Sequence, residues 1–348
     1  LALHLAGPEA ATTLALRVIE VLDQPVVAAG ASHRIGAGIG IALVPSDAQT
    51  TQEALRKADI ALYRAKAERR SALRFFEPAM DARVRERSSM ENKFRDAMEQ
   101  GHITAMFQPT VNLRTQKIIG FEVLPQWTDG QQGIVAIERF IAIAEEAGLI
   151  HALSERMLRK ACETANSWPS YITIAIDIYP SQLKDDLLPM RILKILEECN
   201  ITPSRLEIEI TESALVADME NAQRVLGALH DAGVRIALDN FGTGYSSLYH
   251  LRNFKLDKIK IDRSFIHTMA SERASAGIVS ALVGFGHGLG LTIAAEGVEA
   301  ADQEASLLSN GCDQGQGQFF SRPVNATETV SLFASESTTS LRVKVRDH

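Results

Sequence analysis

The sequence predicts an α/β protein whose larger part is a (β/α)8 TIM-like barrel, preceded by an incomplete α/β segment. Three observations carry this. From about residue 104, short apolar runs alternate with longer segments of helical periodicity, as expected of βα units around a parallel sheet. Eight strand candidates within about 230 residues suit a closed barrel. Residues 1–78 are patterned differently and, at under about 80 residues, make a marginal domain that leans on the barrel or is the back half of something larger.

In the first block, Leu1–Leu5 reads as a strand, Ala11–Leu22 as a helix, Ile35–Val44 as a Gly-interrupted strand and Thr51–Arg69 as a helix. Across 79–103, a helical linker, Ser88-x-x-Glu91 reads as a capping box opening a helix with Met90, Phe94, Ala97 and Met98 on one face. The barrel, 104–333, takes its strands from Thr104–Val111, Ile118–Leu124, Ile172–Ile178, Leu206–Thr211, Arg235–Leu238, Lys258–Ile261, Leu291–Ala295 and Gly317–Phe320. Helices lie between most of them, for example Ala136–Ala147, Ser154–Ser167, Leu187–Cys199, Met219–Ala232 and Ser275–Phe285. No helix separates the first two strands, so they pair as a hairpin and leave the barrel imperfect. Residues 334–348, with Ser335-Glu-Ser-Thr-Thr-Ser340, read as a polar tail.

Composition narrows the function. The formal charge is −7, which argues against an electrostatic footprint for a nucleic-acid polymer or an anionic membrane. Ala274–Ala295 carries no formal charge and is long enough to span a bilayer, but Gly284, Gly286, Gly288 and Gly290 divide it into a helix, a turn and a buried strand. Cys162, Cys199 and Cys312 are too few and too dispersed for a disulfide framework, so a reducing cytoplasm is expected. The histidines show no zinc spacing, and any metal here is held by oxygen.

In a parallel barrel the chemistry sits where strands end. Glu122, Asp177, Glu207, Glu209, Glu212, Asp239, Asn240, Lys260, Asp262 and Glu296 lie in or just after apolar runs. Acids converging from several strands require cations between them, and all-oxygen donors select Mg²⁺, Mn²⁺ or Ca²⁺. The Asp239-Asn240 pair suggests two close ions, as in two-metal phosphoryl displacement, and Lys260 is suited to orient water or neutralise phosphate. Phe241-Gly-Thr-Gly-Tyr-Ser-Ser247 lacks a Walker ending and reads as a mobile loop over the site.

The runs Phe107-Gln108-Pro109, Gly120-Phe-Glu-Val-Leu124, Leu206–Glu212, Leu238–Leu248, Lys260–Phe265, Ala295–Glu299 and Gln316–Pro323 resemble the EAL-domain family over about residues 100–325. These are bacterial barrel phosphodiesterases that linearise cyclic di-GMP using two Mg²⁺ or Mn²⁺ ions. The first block, through Ile35–Ala42 and Lys57–Lys66, resembles the back half of a GGDEF diguanylate cyclase domain without its signature loop, which implies no cyclase activity from this chain. By position the EAL resemblance implies metal ligands at Glu122, Asp177, Glu209, Asp239, Asn240 and Glu296. It implies catalytic roles for Lys260, Glu212 and Glu122, and ligand contacts at Gln108, Leu124, Gln126, Glu299, Gln316 and Phe320. It also implies a homodimer.

Four departures from the family pattern stand out: Glu-Val-Leu for Glu-Ala-Leu, Gln126 for Arg, Asp177 for Asn, and Asn240 for Asp. Gln126 removes a charge-assisted phosphate contact of about 1.5 to 3 kcal/mol. Asn240 is a neutral, weaker ligand, while Asp177 returns the lost charge elsewhere in the cluster. Together they imply a degenerate EAL domain that binds cyclic di-GMP as receptor or effector, with one ion or none and weak or absent hydrolysis. The alternatives are an active phosphodiesterase yielding pGpG and a ligand-free scaffold for a protein effector.

Overall fold

The computed structural model describes residues 5, 7–28, 31–33, 35–67, 71–130, 133–242, 254–269 and 272–336. The chain divides into two compact units, Leu1–Lys93 and Phe94–His348.

The first unit contains α1 (Gly7–Leu22), the antiparallel pair β1 (Val26–Ala28) and β2 (Ala31–His33), then β3 (Ile39–Ile41), α2 (Thr51–Ala67) and β4 (Leu73–Phe75), with β3 and β4 parallel. Ala61, Phe76 and Met80 form its small core. A Cβ on Gly40 would lie 2.1 Å from the Ala58 carbonyl oxygen, so glycine there lets α2 lie directly on β3. The strand expected over Ile35–Val44 shrinks to Ile39–Ile41, because β4 pairs with only that much of it. The expected strand Leu1–Leu5 lies, apart from Leu5, outside the described residues.

The helix α3 runs Pro78–Gln100. Ser88 is therefore interior to it and opens nothing. Pro78 starts the helix, where its fixed φ suits the first turn and its missing N–H costs no bond. Met90, Phe94 and Ala97 are buried on one face as the periodicity required.

Eight strands close the barrel of the second unit: β5 (Ile103–Asn112), β6 (Lys117–Asp129), β8 (Thr173–Asp177), β9 (Leu206–Thr211), β10 (Arg235–Phe241), β11 (Lys258–Ile261), β12 (Thr292–Ala295) and β13 (Gln314–Gln316); β7 (Gly133–Val135) extends the sheet beside β6. Strands β6 and β8 to β13 pair in parallel around the ring, whereas β5 runs antiparallel to both its neighbours. The expected hairpin of the first two strands is this β5–β6 pair. The imperfection it brings is this reversed strand; the ring still closes, because β5 also pairs with β13.

Around the barrel lie α4 (Ile137–Glu146), α5 (Ile150–Ala165), α6 (Leu188–Glu198), α7 (Glu212–Ala217), α8 (Met219–Asp231), α9 (Arg263–Thr268), α10 (Arg273–Gly288), α11 (Ala301–Ser309) and α12 (Ala326–Glu336). The Trp168 ring lies 4.7 Å from Phe121 and 5.5 Å from Phe107 between centroids, and its Nε1–H donates to Thr329 Oγ1 at 2.9 Å, which seats α12 on β5 and β6. Residues 334–336, expected in the polar tail, belong to that helix; 337–348 lie outside the described residues.

Two further boundaries differ from expectation. The helix α10 continues through Gly284 and Gly286 and ends at Gly288, with the left-handed Gly290 (φ 77°) turning the chain into β12. A Cβ on Gly286 would sit 2.0 Å from Ile293 Cδ1, so that glycine serves close helix–strand packing rather than a break. The last strand falls at Gln314–Gln316, not Gly317–Phe320, because Gly317 turns away at φ 156°, where a Cβ would meet the Val298 backbone at 2.1 Å. No helix among the described residues is long and apolar enough to cross a membrane.

Candidate metal centre

Strand alternation decides which side chains face the barrel interior. On β6, Phe121, Val123, Pro125 and Trp127 pack outward and are buried, leaving Glu122, Leu124 and Gln126 on the opposite, partly open face. Gln108 of β5 stands in register with Glu122. On β9 every residue from Leu206 to Ile210 is buried, so Glu207 and Glu209 lie inside the barrel in two successive layers. Asp177 is in register with Glu209, and Glu209 with Ala237, two residues before Asp239. This strand-to-strand stagger brings side chains of different sequence positions to one height.

In the upper layer the Lys260 ammonium reaches Glu209 Oε2 at 2.6 Å, Glu122 Oε2 at 3.1 Å and Asp239 Oδ1 at 3.7 Å, and it also contacts Glu296 Oε1. Carboxylate oxygens of Glu122, Asp177 and Glu209 all lie within 4.8 Å of one another. Gln316 Nε2–H donates to Glu122 Oε2 at 2.7 Å. Four carboxylates thus meet one lysine, with Asp177 a fifth beside Glu122 and Glu209. Burial, the Lys260 ammonium notwithstanding, and repulsion from Glu122 and Asp239 push the Glu209 carboxyl well above its ordinary value. Burial also raises Asp177 and Glu296 to about 8, with Glu122 and Asp239 adding to both shifts. The surrounding anions hold the Lys260 ammonium charged well above its usual range despite its burial.

A divalent cation fits this arrangement. The donors are all oxygen, their negative charge exceeds what Lys260 balances, and Asp239 Oδ1 is buried without a hydrogen-bond partner. Glu122, Asp177 and Glu209 are placed to hold such an ion.

Other predicted residues take varied positions. Glu212 is buried at the start of α7, directly after β9. In β10 the pairing to β11 shifts between Leu238 and Phe241, a bulge that accommodates Asp239 and the left-handed Asn240 (φ 54°). Asn240 Nδ2–H donates to Asp239 Oδ2 at 2.8 Å. Glu299 stands apart from the buried cluster: its side chain is exposed and lies 3.3 Å from His267 Nε2. Phe320 is 2% exposed and packs edge-on to Phe319, with a Cβ on Gly315 falling 3.0 Å from its ring, so it supports β13 from within the core. From Thr243 to Ser247 the expected loop lies outside the described residues.

Two features escaped the sequence reading. In the lower layer Lys258 Nζ meets Glu207 Oε1 at 2.6 Å, a buried ion pair signalled by Glu-x-Glu on β9 and Lys-x-Lys on β11. Tyr179 lines a cavity beside Asp177 together with Val123, Leu153, Ser154 and Met157; its position two residues beyond Asp177 on extended chain was the available signal.

The EAL domain model matches residues 91–323, and the diguanylate cyclase GGDEF domain model matches residues 3–72. The uncharacterized protein y4lL of Sinorhizobium fredii is 38% identical over 94% of this chain and 40% of its own length. The bifunctional diguanylate cyclase/cyclic di-GMP phosphodiesterase MucR of Pseudomonas aeruginosa is 35% identical over 94% of this chain and 48% of its own. The chain therefore spans less than half the length of either relative. A solved c-di-GMP complex of the PaMucR phosphodiesterase superposes with a TM-score of 0.66 at 34% identity, covering 68% of this chain and 98% of that one. With the barrel, its ring of inward carboxylates and these matches in agreement, the chain belongs to the EAL-domain family and carries a partial GGDEF domain ahead of its barrel.

Proposed function

We propose that the barrel is a metal-dependent phosphodiesterase that opens cyclic di-GMP to linear pGpG, with Mg²⁺ or Mn²⁺ as its ion. The observation that carries this is the convergence of Glu122, Asp177 and Glu209 beside Asp239 Oδ1, which is buried without a hydrogen-bond partner. A divalent ion held there supplies Lewis acidity toward a phosphate oxygen and a water of lowered pKa. The chain's own contribution is positional. Lys260, fixed by Glu209 and Glu122, presents a permanent positive charge toward the phosphate. Gln316 holds Glu122 in place, and Glu122, Leu124 and Gln126 form a continuous inward row leading to the mouth.

The identity of relatives that act on cyclic di-GMP supports the substrate. Incubation with cyclic di-GMP and Mn²⁺, followed by chromatography, tests the reading: pGpG is expected, and binding without turnover would sink it. A receptor with little hydrolysis is the second reading, favoured by Gln126, which brings no charge to the mouth, and by the neutral Asn240 beside Asp239.

A further inference from the structure

We propose that Asn240 is a positioning residue that acts through Asp239, holding that carboxylate to one free oxygen and thereby setting which divalent ion the site accepts. This rests on the metal-centre reading above, and it gives Asn240 a role other than ligand.

The β10 bulge places Asn240 at φ 54°, a backbone region that Asn enters more readily than most residues, and sets its amide alongside the preceding carboxylate. The Nδ2–H donates to Asp239 Oδ2 at 2.8 Å. The other oxygen, Oδ1, is buried without a hydrogen-bond partner and has the Lys260 ammonium 3.7 Å away, beyond hydrogen-bond reach. Asp239 therefore has one oxygen engaged by the chain and one oxygen to give. For Asp239 to grasp an ion with both, the amide bond must break. Mg²⁺ demands near-octahedral geometry with single-oxygen donors, whereas Ca²⁺ takes more oxygens and readily accepts carboxylates through both. An amide that denies Asp239 its second oxygen thus disfavours the larger ion. Aspartate at this position would have no N–H to donate and would instead add an anion.

The test is calorimetric titration of the full chain with Mn²⁺ and, separately, Ca²⁺, comparing the unaltered protein with Asn240→Gly and Asn240→Asp. Glycine accepts the positive φ without strain and removes the amide without adding a charge; aspartate keeps the shape, removes the donor and adds an anion. The expected result is a Mn²⁺-over-Ca²⁺ preference reduced about tenfold in both variants. An unchanged preference in Asn240→Gly overturns the proposal; if that variant does not fold, an unchanged preference in Asn240→Asp does so. A second equivalent of Mn²⁺ gained by Asn240→Asp with the preference intact also overturns it, in favour of a ligand position. An unaltered protein that binds neither ion sinks the metal-centre reading itself, and the proposal with it.

Discussion

Two layers of the barrel interior, built two residues apart on the same strands, use the same chemistry to opposite ends. Below, Glu207 and Lys258 form a one-to-one pair at 2.6 Å. Above, Glu209 and Lys260 meet at the same 2.6 Å, but Glu122, Asp177, Asp239 and Glu296 crowd the same space. The lower pair is buried and balanced in charge. The upper set is short of positive charge, and that deficit is what a cation would fill. The comparison teaches that a buried salt bridge and a metal centre differ here in stoichiometry rather than in residue type.

The largest expected effect tests the upper layer. Glu209→Gln removes a central donor and should lower Mn²⁺ affinity by about a hundredfold or more, with phosphodiesterase turnover lost alongside. Calorimetry on the folded variant reads the affinity, and near-normal binding would break the comparison. In the lower layer, Glu207→Gln strands the Lys258 ammonium and should cost about 3 kcal/mol of stability in denaturant unfolding. Mn²⁺ affinity should stay within about twofold, since this pair is not among the carboxylates that would hold the ion; a loss matching that of Glu209→Gln would show one network instead of two layers.

A smaller effect sharpens the picture at the mouth. Gln126 shares the inward face of β6 with Glu122, so Gln126→Arg should tighten cyclic di-GMP binding by about tenfold through a charge-assisted phosphate contact. Unchanged affinity would place the ligand's phosphates away from this row. The least effect is one of pH on the metal-free protein. Asp177 and Glu296 rise from ordinary values of 3.8 and 4.5 to about 8 on folding. Because the unfolded chain releases these protons first, stability falls as pH rises between those limits, and it is fully present only below them. Lys260 shifts upward from 10.5 and so leaves this window untouched. The melting midpoint without metal should drop by several degrees between acidic pH and pH near 8, and Mn²⁺ should flatten the drop; a midpoint that rises instead would contradict the crowding of acids.

Strands β9 and β11 were legible to the residue because each is a short run, buried throughout in β11 and up to Ile210 in β9, that gives way to polar residues at its end. The same logic located Glu122, Asp177, Glu209, Asp239, Lys260 and Glu296, since polar side chains closing such runs have few places to go but the barrel mouth. Strand β13, Gln314-Gly-Gln316, escaped because nothing in it is apolar; its pairing rests on backbone bonds to β12 and β5. Alternation gives a side chain's face but not its partner, which is why the Glu207–Lys258 pair went unseen. Ser88-x-x-Glu91 misled for a related reason: a local capping signal carries no weight where the helix already has its bonds on both sides.

The reversed first strand has a mechanical consequence. In an all-parallel barrel the chain enters at the end remote from the chemistry. Here β5 starts at the opposite end, with Ile103 opposite Trp127 and Thr104 opposite Gln126, and the Thr128 amide bonded to the His102 carbonyl at 3.3 Å. The polypeptide is thus threaded in at the rim where substrate would arrive. The stretch just before residue 103 therefore meets the barrel at its entrance, so that end of the barrel is tied to the chain's approach as well as to its strand ends.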